Sequence, residues 1–240
     1  MRYLARVSYD GSKFYGFQKL NNKKSVQEEL EKILSKINKS VVLIKGAGRT
    51  DRGVHAFGQC ISFDLNINIT PERLKKAMNS LLDKGIYVTE VSEVNPDFHA
   101  RFDCQEKTYQ YVINMGEYDP IDNDYIYNYN HKLNIKAMKK GAKYLIGKHS
   151  YKAFVSGYRD NYNSIISSIR FKKKKDILVI TFKGKSFYRY MIRNMVGTLM
   201  LVGEEKGEPE IIKDMLDKNK KLANYMTVPA SGLYLVEIKY

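Results

Sequence analysis

The chain has no apolar run approaching the ~20 residues that span a bilayer as a helix. Its opening stretch, MRYLARVSYDG, lacks the apolar core of a signal peptide. Neither a membrane-spanning nor a secreted protein is expected. Cysteine is scarce: Cys60 and Cys104 have no CxxC spacing, which argues against a thiolate metal cluster and fits a reducing, cytoplasmic setting. The histidines at 55, 99, 131 and 149 are scattered without an HxxxH pair, so no metal is expected. Low-complexity segments are absent, and KKKK at 172–175 reads as a hairpin tip. Acidic residues are in deficit, 26 against 41 Lys plus Arg, leaving a net charge of +15. That excess makes a polyanion the first partner to test, although a solubilising lysine surface would give the same total.

What is present is a globular composition. Hydrophobic residues make up 43% of 240 and charged residues 28%, enough core for one large domain or two small ones. In RYLARVSY, Tyr3, Ala5, Val7 and Tyr9 alternate with Arg2, Leu4, Arg6 and Ser8, the period of a strand. Ser25 and Glu28 form a capping box ahead of a helix whose inner face is Val26, Leu30, Ile33, Leu34 and Ile37. VVLIK at 41–45 reads as a short buried strand, and 59–64 as the next. Thr70 and Pro71 open a second helix as N-cap and first residue, with Leu74, Ala77, Met78 and Leu81 inward. IYVTEVSEV closes the half as a strand.

That order is βαββαβ, a ferredoxin-like unit. The second half repeats it: KTYQYVIN, a helix over 134–146, strands over 167–172 and 177–182, an apolar helix over 190–202, and LYLVEIKY as the last strand. An extra helix starts near Pro209. The expected fold is α/β (α+β): two ferredoxin-like subdomains, 1–104 and 105–240, with a mainly antiparallel sheet and a cleft between them. Residues 115–131 and 149–166 read as loops.

GAGRTDRGVHAFG at 46–58 places Asp51 between Arg49 and Arg52 in a glycine-rich turn. It lacks the Gly-Lys-Ser/Thr ending of a nucleotide phosphate loop. Asp51 is either a turn residue bonding nearby backbone N–H groups or a carboxylate that adjacent guanidinium groups keep ionised as a nucleophile or base. The arginines could also neutralise substrate phosphates. His55 has no serine or cysteine nucleophile motif to serve and reads more simply as a packed ring. Tyr109, Tyr111 and Ile113 share one face of a strand, as a core face or as a stacking platform for an extruded base. HARF at 99–102 and YRYMIRN at 188–194 set arginines beside aromatics, a composition suited to RNA. Arg193, inside an apolar helix, calls for an anionic partner if buried, and Asp51 is the candidate.

YDGSKFYGFQ, SVQEELEKIL, GAGRTDRGVHAFGQ, FHARF, YQYVI, MIRNMVGTL and GLYLVEI, in this order from Tyr9 to the C-terminus, resemble the tRNA pseudouridine synthase A family. The resemblance implies isomerisation of uridine to pseudouridine at positions 38 to 40 of the tRNA anticodon stem-loop, by a homodimer with the pseudouridine synthase fold. It implies no cofactor and no catalytic metal. Asp51 matches the catalytic aspartate, Arg49 the arginine that helps displace the base, Tyr109 the tyrosine packing on the target base, and Arg193 the arginine pairing with the carboxylate. Arg52 stands where the family often has a small residue, either as a phosphate contact or as a mark of a different target. SFYRYMIRN carries extra charge, and the segment before 167 lacks an Arg-Thr pair. A paralogue acting on another tRNA or rRNA uridine, a non-catalytic RNA-binding protein and a small-molecule enzyme with a phosphate loop are the competing readings.

Overall fold

A computed structural model of the chain describes residues 1–222 and 225–240. The chain divides into two compact units, 1–105 with 234–240, and 106–233.

The first unit contains β1 (Arg2–Tyr9), α1 (Val26–Asn38), β2 (Lys45–Gly46), β3 (His55–Asp64), α2 (Pro71–Leu81) and β4 (Ile86–Glu93). β1 pairs antiparallel with β3 on one side and β4 on the other, and β2 adds antiparallel to β3. The order β4-β1-β3-β2 is that of the expected βαββαβ unit. Alternation on β1 buries Tyr3, Ala5, Val7 and Tyr9. Leu30 and Leu34 of α1 and Leu74 and Met78 of α2 are fully buried, each worth about 1.5–3 kcal/mol relative to exposure. The Ser25 side chain caps α1 by accepting from the Glu28 N–H at 3.3 Å, satisfying one of the helix's unpaired donors.

The second unit contains β5 (Glu106–Asn114), β6 (Tyr127–Asn128), α3 (Ile135–Tyr144), β7 (Gly147–Ser150), β8 (Asn163–Lys174), β9 (Ile177–Gly184), α4 (Met191–Gly203) and α5 (Ile211–Lys218). Its strands run β5-β9-β8-β7, all antiparallel, while β6 adds to β5 in parallel. The β8–β9 hairpin turns at Lys175–Asp176, with Lys175 left-handed at φ 51°, the conformation that two-residue hairpin turns require. The last strand, β10 (Leu233–Lys239), groups from Tyr234 onward with the first unit, where it pairs parallel with β3. Among the described residues no helix is long and apolar enough to cross a membrane.

Several elements differ from expectation. VVLIK is not a buried strand: only Lys45 pairs, and Val41 and Leu43 are 83% and 64% exposed. The reason is that α1 takes its backbone hydrogen bonds. Ser35 Oγ accepts from the Val42 N–H at 2.9 Å, and Glu31 Oε1 accepts from the Ile44 N–H at 3.2 Å. Strand β3 starts at His55, four residues earlier than expected, because β10 and β1 both pair with Ala56. Leu81, at the end of α2, is 40% exposed. Both expected loops contain strand: β6 lies in the first, and the end of β7 and start of β8 in the second.

Glu31 is buried, and its Oε1 also accepts from Gln27 Nε2 at 2.8 Å. Glu31→Ala is expected to cost about 1–3 kcal/mol in urea unfolding, and Glu31→Gln, which keeps an acceptor, less. Equal midpoints for wild type and Glu31→Ala would contradict this account of residues 42–44.

Candidate active site

The glycine-rich segment is a turn held from several sides within the first unit. The Ala47 N–H donates to Cys60 O at 2.8 Å, and Gln59 Nε2 donates to Gly48 O at 2.8 Å. Thr50 is buried: its Oγ1 lies 2.8 Å from Tyr9 Oη, and its carbonyl accepts from the Phe17 N–H at 3.1 Å. Burial pushes the Tyr9 hydroxyl up to about 12, so it stays protonated as a hydrogen-bonding group. Asp51 opens a tight turn in which its backbone carbonyl accepts from the Val54 N–H at 3.1 Å. Gly53, the third residue of that turn, has φ 82°, a left-handed conformation that glycine adopts without strain.

The outer wall of the turn is backbone. A Cβ on Gly11 would sit 2.1 Å from Val54 O. Gly16 has φ 94°, and a Cβ there would sit 2.9 Å from Thr50 O and 3.3 Å from the Asp51 carbonyl carbon. The Gly11 N–H donates to His55 Nδ1 at 3.1 Å. His55 is therefore a packed, hydrogen-bonded ring, buried and stacked on Tyr234 with centroids 4.8 Å apart. Asp51 is half-buried, while Arg49 and Arg52 are exposed.

Asp51 and Arg49 belong to the first unit, and Tyr109 and Arg193 to the second. Tyr109 lies on β5, 7% exposed, edge-on to Phe187 at 5.2 Å. Arg193, on α4, is half-buried rather than buried. Its Nε–H donates to Val228 O at 2.7 Å, and its guanidinium lies 4.9 Å from the Tyr190 ring centroid. The neighbouring Tyr111 is fully buried and donates to Pro229 O at 2.8 Å. Burial raises its hydroxyl well above the ordinary range, against the lowering effect of the Arg193 charge.

Sequence reasoning missed the supporting residues Tyr9, Gly11, Gly16, Thr50 and Gln59. The available signal was the pair of glycines in YDGSKFYGFQ, which mark positions where another backbone approaches closely.

A family model described as tRNA pseudouridine synthase matches residues 5–103 and 142–240. The chain belongs to that family. Relatives named tRNA pseudouridine synthase A match essentially end to end. The protein from Thermosipho melanesiensis is 38% identical over 100% of this chain and 99% of its own length. That from Listeria monocytogenes is 40% identical over 100% and 99%, and that from Pseudothermotoga lettingae 39% over 100% and 99%. This pseudouridine synthase thus carries Asp51 in a turn whose path is set by close backbone packing.

Gly16→Ala tests that packing. Gly157 supplies the control: it also has a left-handed φ, 89°, but nothing lies within 4 Å of its would-be Cβ. Thermal unfolding is expected to show Gly16→Ala losing about 1–3 kcal/mol more than Gly157→Ala. Equal losses would mean that backbone strain alone, and not the contact with Thr50, sets the requirement for glycine.

Proposed function

We propose that this protein isomerises uridine to pseudouridine at positions 38 to 40 of the tRNA anticodon stem-loop, with Asp51 as nucleophile. The observation that carries the reading is family membership over nearly the whole chain, joined to a single half-buried carboxylate in a turn fixed through its own backbone. The relatives are named tRNA pseudouridine synthase A, which supports tRNA as the substrate.

The reaction breaks the bond between ribose C1′ and N1 of uracil, rotates the ring, and forms a bond between C1′ and C5. The proton on C5 is lost to a base, and N1 gains one, so substrate and product are isomers. No electrons are gained or lost overall, and the reaction needs no redox cofactor. An ionised Asp51 adds to C6 of the ring or to C1′ and departs once the new bond forms. A base must accept the C5 proton. The target nucleotide has to leave its stem, which requires positive charge on the RNA backbone and a group to occupy the vacated position. Arg49, exposed two residues before Asp51, is assigned the second task. Tyr109 packs against the target base, and Arg193 is the cation that keeps the Asp51 carboxylate ionised. The working form is a homodimer.

Tritium release from tRNA carrying 5-tritiated uridine tests the central role. Asp51→Asn and Asp51→Ala are expected to lower it at least about a thousandfold, and undiminished release would remove Asp51 from the mechanism. Arg193→Ala is expected to lower turnover at least about tenfold while leaving the unfolding midpoint largely in place. A fully active Arg193→Ala protein would rule out its role as partner of the carboxylate.

A further inference from the structure

Arg52 has no task in the reaction just described, yet its placement is specific. It occupies the exposed tip of the Asp51–Val54 turn, and its guanidinium lies 4.5 Å from the centroid of the Tyr15 ring. Lys23 Nζ lies 5.1 Å from the same centroid. Among the described residues neither cation has a carboxylate partner. The adjacent Lys24 is different: it sits over Phe14 at 5.3 Å and donates to Asp83 at 2.5 Å, so its charge is neutralised.

The ring is itself held. The Tyr15 N–H donates to Lys24 O at 2.9 Å, and Asn22, left-handed at φ 57°, turns the chain so that Lys23 returns to Tyr15. Next in sequence, Gly16 is pressed against Thr50 O and the Arg52 N. Two positive charges are thus oriented by one 41% exposed aromatic ring, directly beside the turn that carries Asp51. In a chain of net charge +15, holding two like charges together without an anion opposes folding. A polyanionic ligand removes that repulsion.

We propose that Arg52 and Lys23, held on the Tyr15 ring, form a subsite for phosphates of the RNA backbone next to Asp51. The inference rests on the reading of the substrate as tRNA and adds the residues that position its backbone. Tyr15 orients the pair by cation–π contact, and the phosphate contacts fix the register of the RNA on the turn without reading its bases.

The test is equilibrium binding of an unmodified tRNA transcript across a salt series, with turnover measured alongside. Arg52→Ala is expected to weaken binding about 3–10-fold near 0.1 M salt and to flatten the dependence of log affinity on log salt by about one. It raises KM without a matching fall in kcat. Lys23→Ala flattens the slope in the same way. Tyr15→Ala leaves both charges but weakens binding, and Tyr15→Phe, which keeps the ring, restores it. Unchanged affinity and slope in Arg52→Ala would overturn the proposal. So would a loss confined to kcat, since that would make Arg52 a support for Asp51 alone. Should the wild type bind tRNA yet form no pseudouridine, the functional reading falls, while the binding data still decide for or against the subsite.

Discussion

The close approach of backbone to backbone at Gly11 and Gly16 is the constraint on which the turn that carries Asp51 depends. The nucleophilic role proposed for Asp51 requires its carboxylate to be positioned to within a fraction of an ångström of one carbon of a nucleotide. Side-chain contacts alone allow rotamer changes; two chains in van der Waals contact do not. With 2.1 Å between a would-be Gly11 Cβ and Val54 O, and 2.9 Å at Gly16 and Thr50 O, nothing larger than hydrogen fits. The segment 10–17 therefore serves as a rigid wall, and the hydrogen bonds from Phe17 N–H to Thr50 O and from Gly11 N–H to His55 Nδ1 fix it along the remaining directions. The turn is rigid because its environment is backbone and buried polar groups that satisfy one another. Among the described residues no buried side-chain nitrogen or oxygen lacks a partner.

The second unit uses the same device around Arg193. A Cβ on Gly197 of α4 would lie 1.9 Å from Met226 O, and one on Gly232 would lie 2.6 Å from Val112 O. The chain over 225–232 is thereby drawn onto α4 and β5. Arg193 and Tyr111 then donate to the adjacent carbonyls of Val228 and Pro229. Asn194 ties in from the next position on the helix, donating to Phe154 O at 2.8 Å and accepting from Thr227 Oγ1 at 2.6 Å. A guanidinium anchored through Nε to a backbone carbonyl and set against the Tyr190 ring has lost much of its rotational freedom before any substrate binds. That is the condition under which the charge would contribute most in the role proposed for Arg193.

Much of this was legible in the sequence, for identifiable reasons. The helices α1 and α2 are announced by Ser25 and by Thr70-Pro71, because an end signal and an apolar stripe agree. The strand β1 follows from strict alternation, and the βαββαβ order of the first unit from the succession of elements. The turn at 46–58 stands out because glycines and opposed charges coincide between apolar runs. What failed were cases in which a distant residue decides. VVLIK has strand composition, but Glu31 and Ser35 capture its N–H groups, and neither residue advertises that use. The early start of β3 depends on β1 and on β10, at opposite ends of the chain, which no local pattern can report. The tasks of Gly11 and Gly16 were hidden because a glycine announces a close approach without saying what approaches. Arg52 was visible as an oddity, but its ring partner Tyr15 lies in a different stretch of the chain. Arg193 looked buried because its helix is apolar all round, whereas the structure leaves it half-exposed against Tyr190.

The central claim is that Asp51, held in this turn, makes the protein a pseudouridine synthase of the tRNA anticodon arm. Nucleotide-resolution mapping of pseudouridine in unmodified tRNA transcripts, after incubation with the purified protein or with Asp51→Asn, tests it most directly. The account predicts pseudouridine at positions 38, 39 or 40 with the wild type and at none of them with the variant. Pseudouridine formed by both proteins, or by neither, would contradict it.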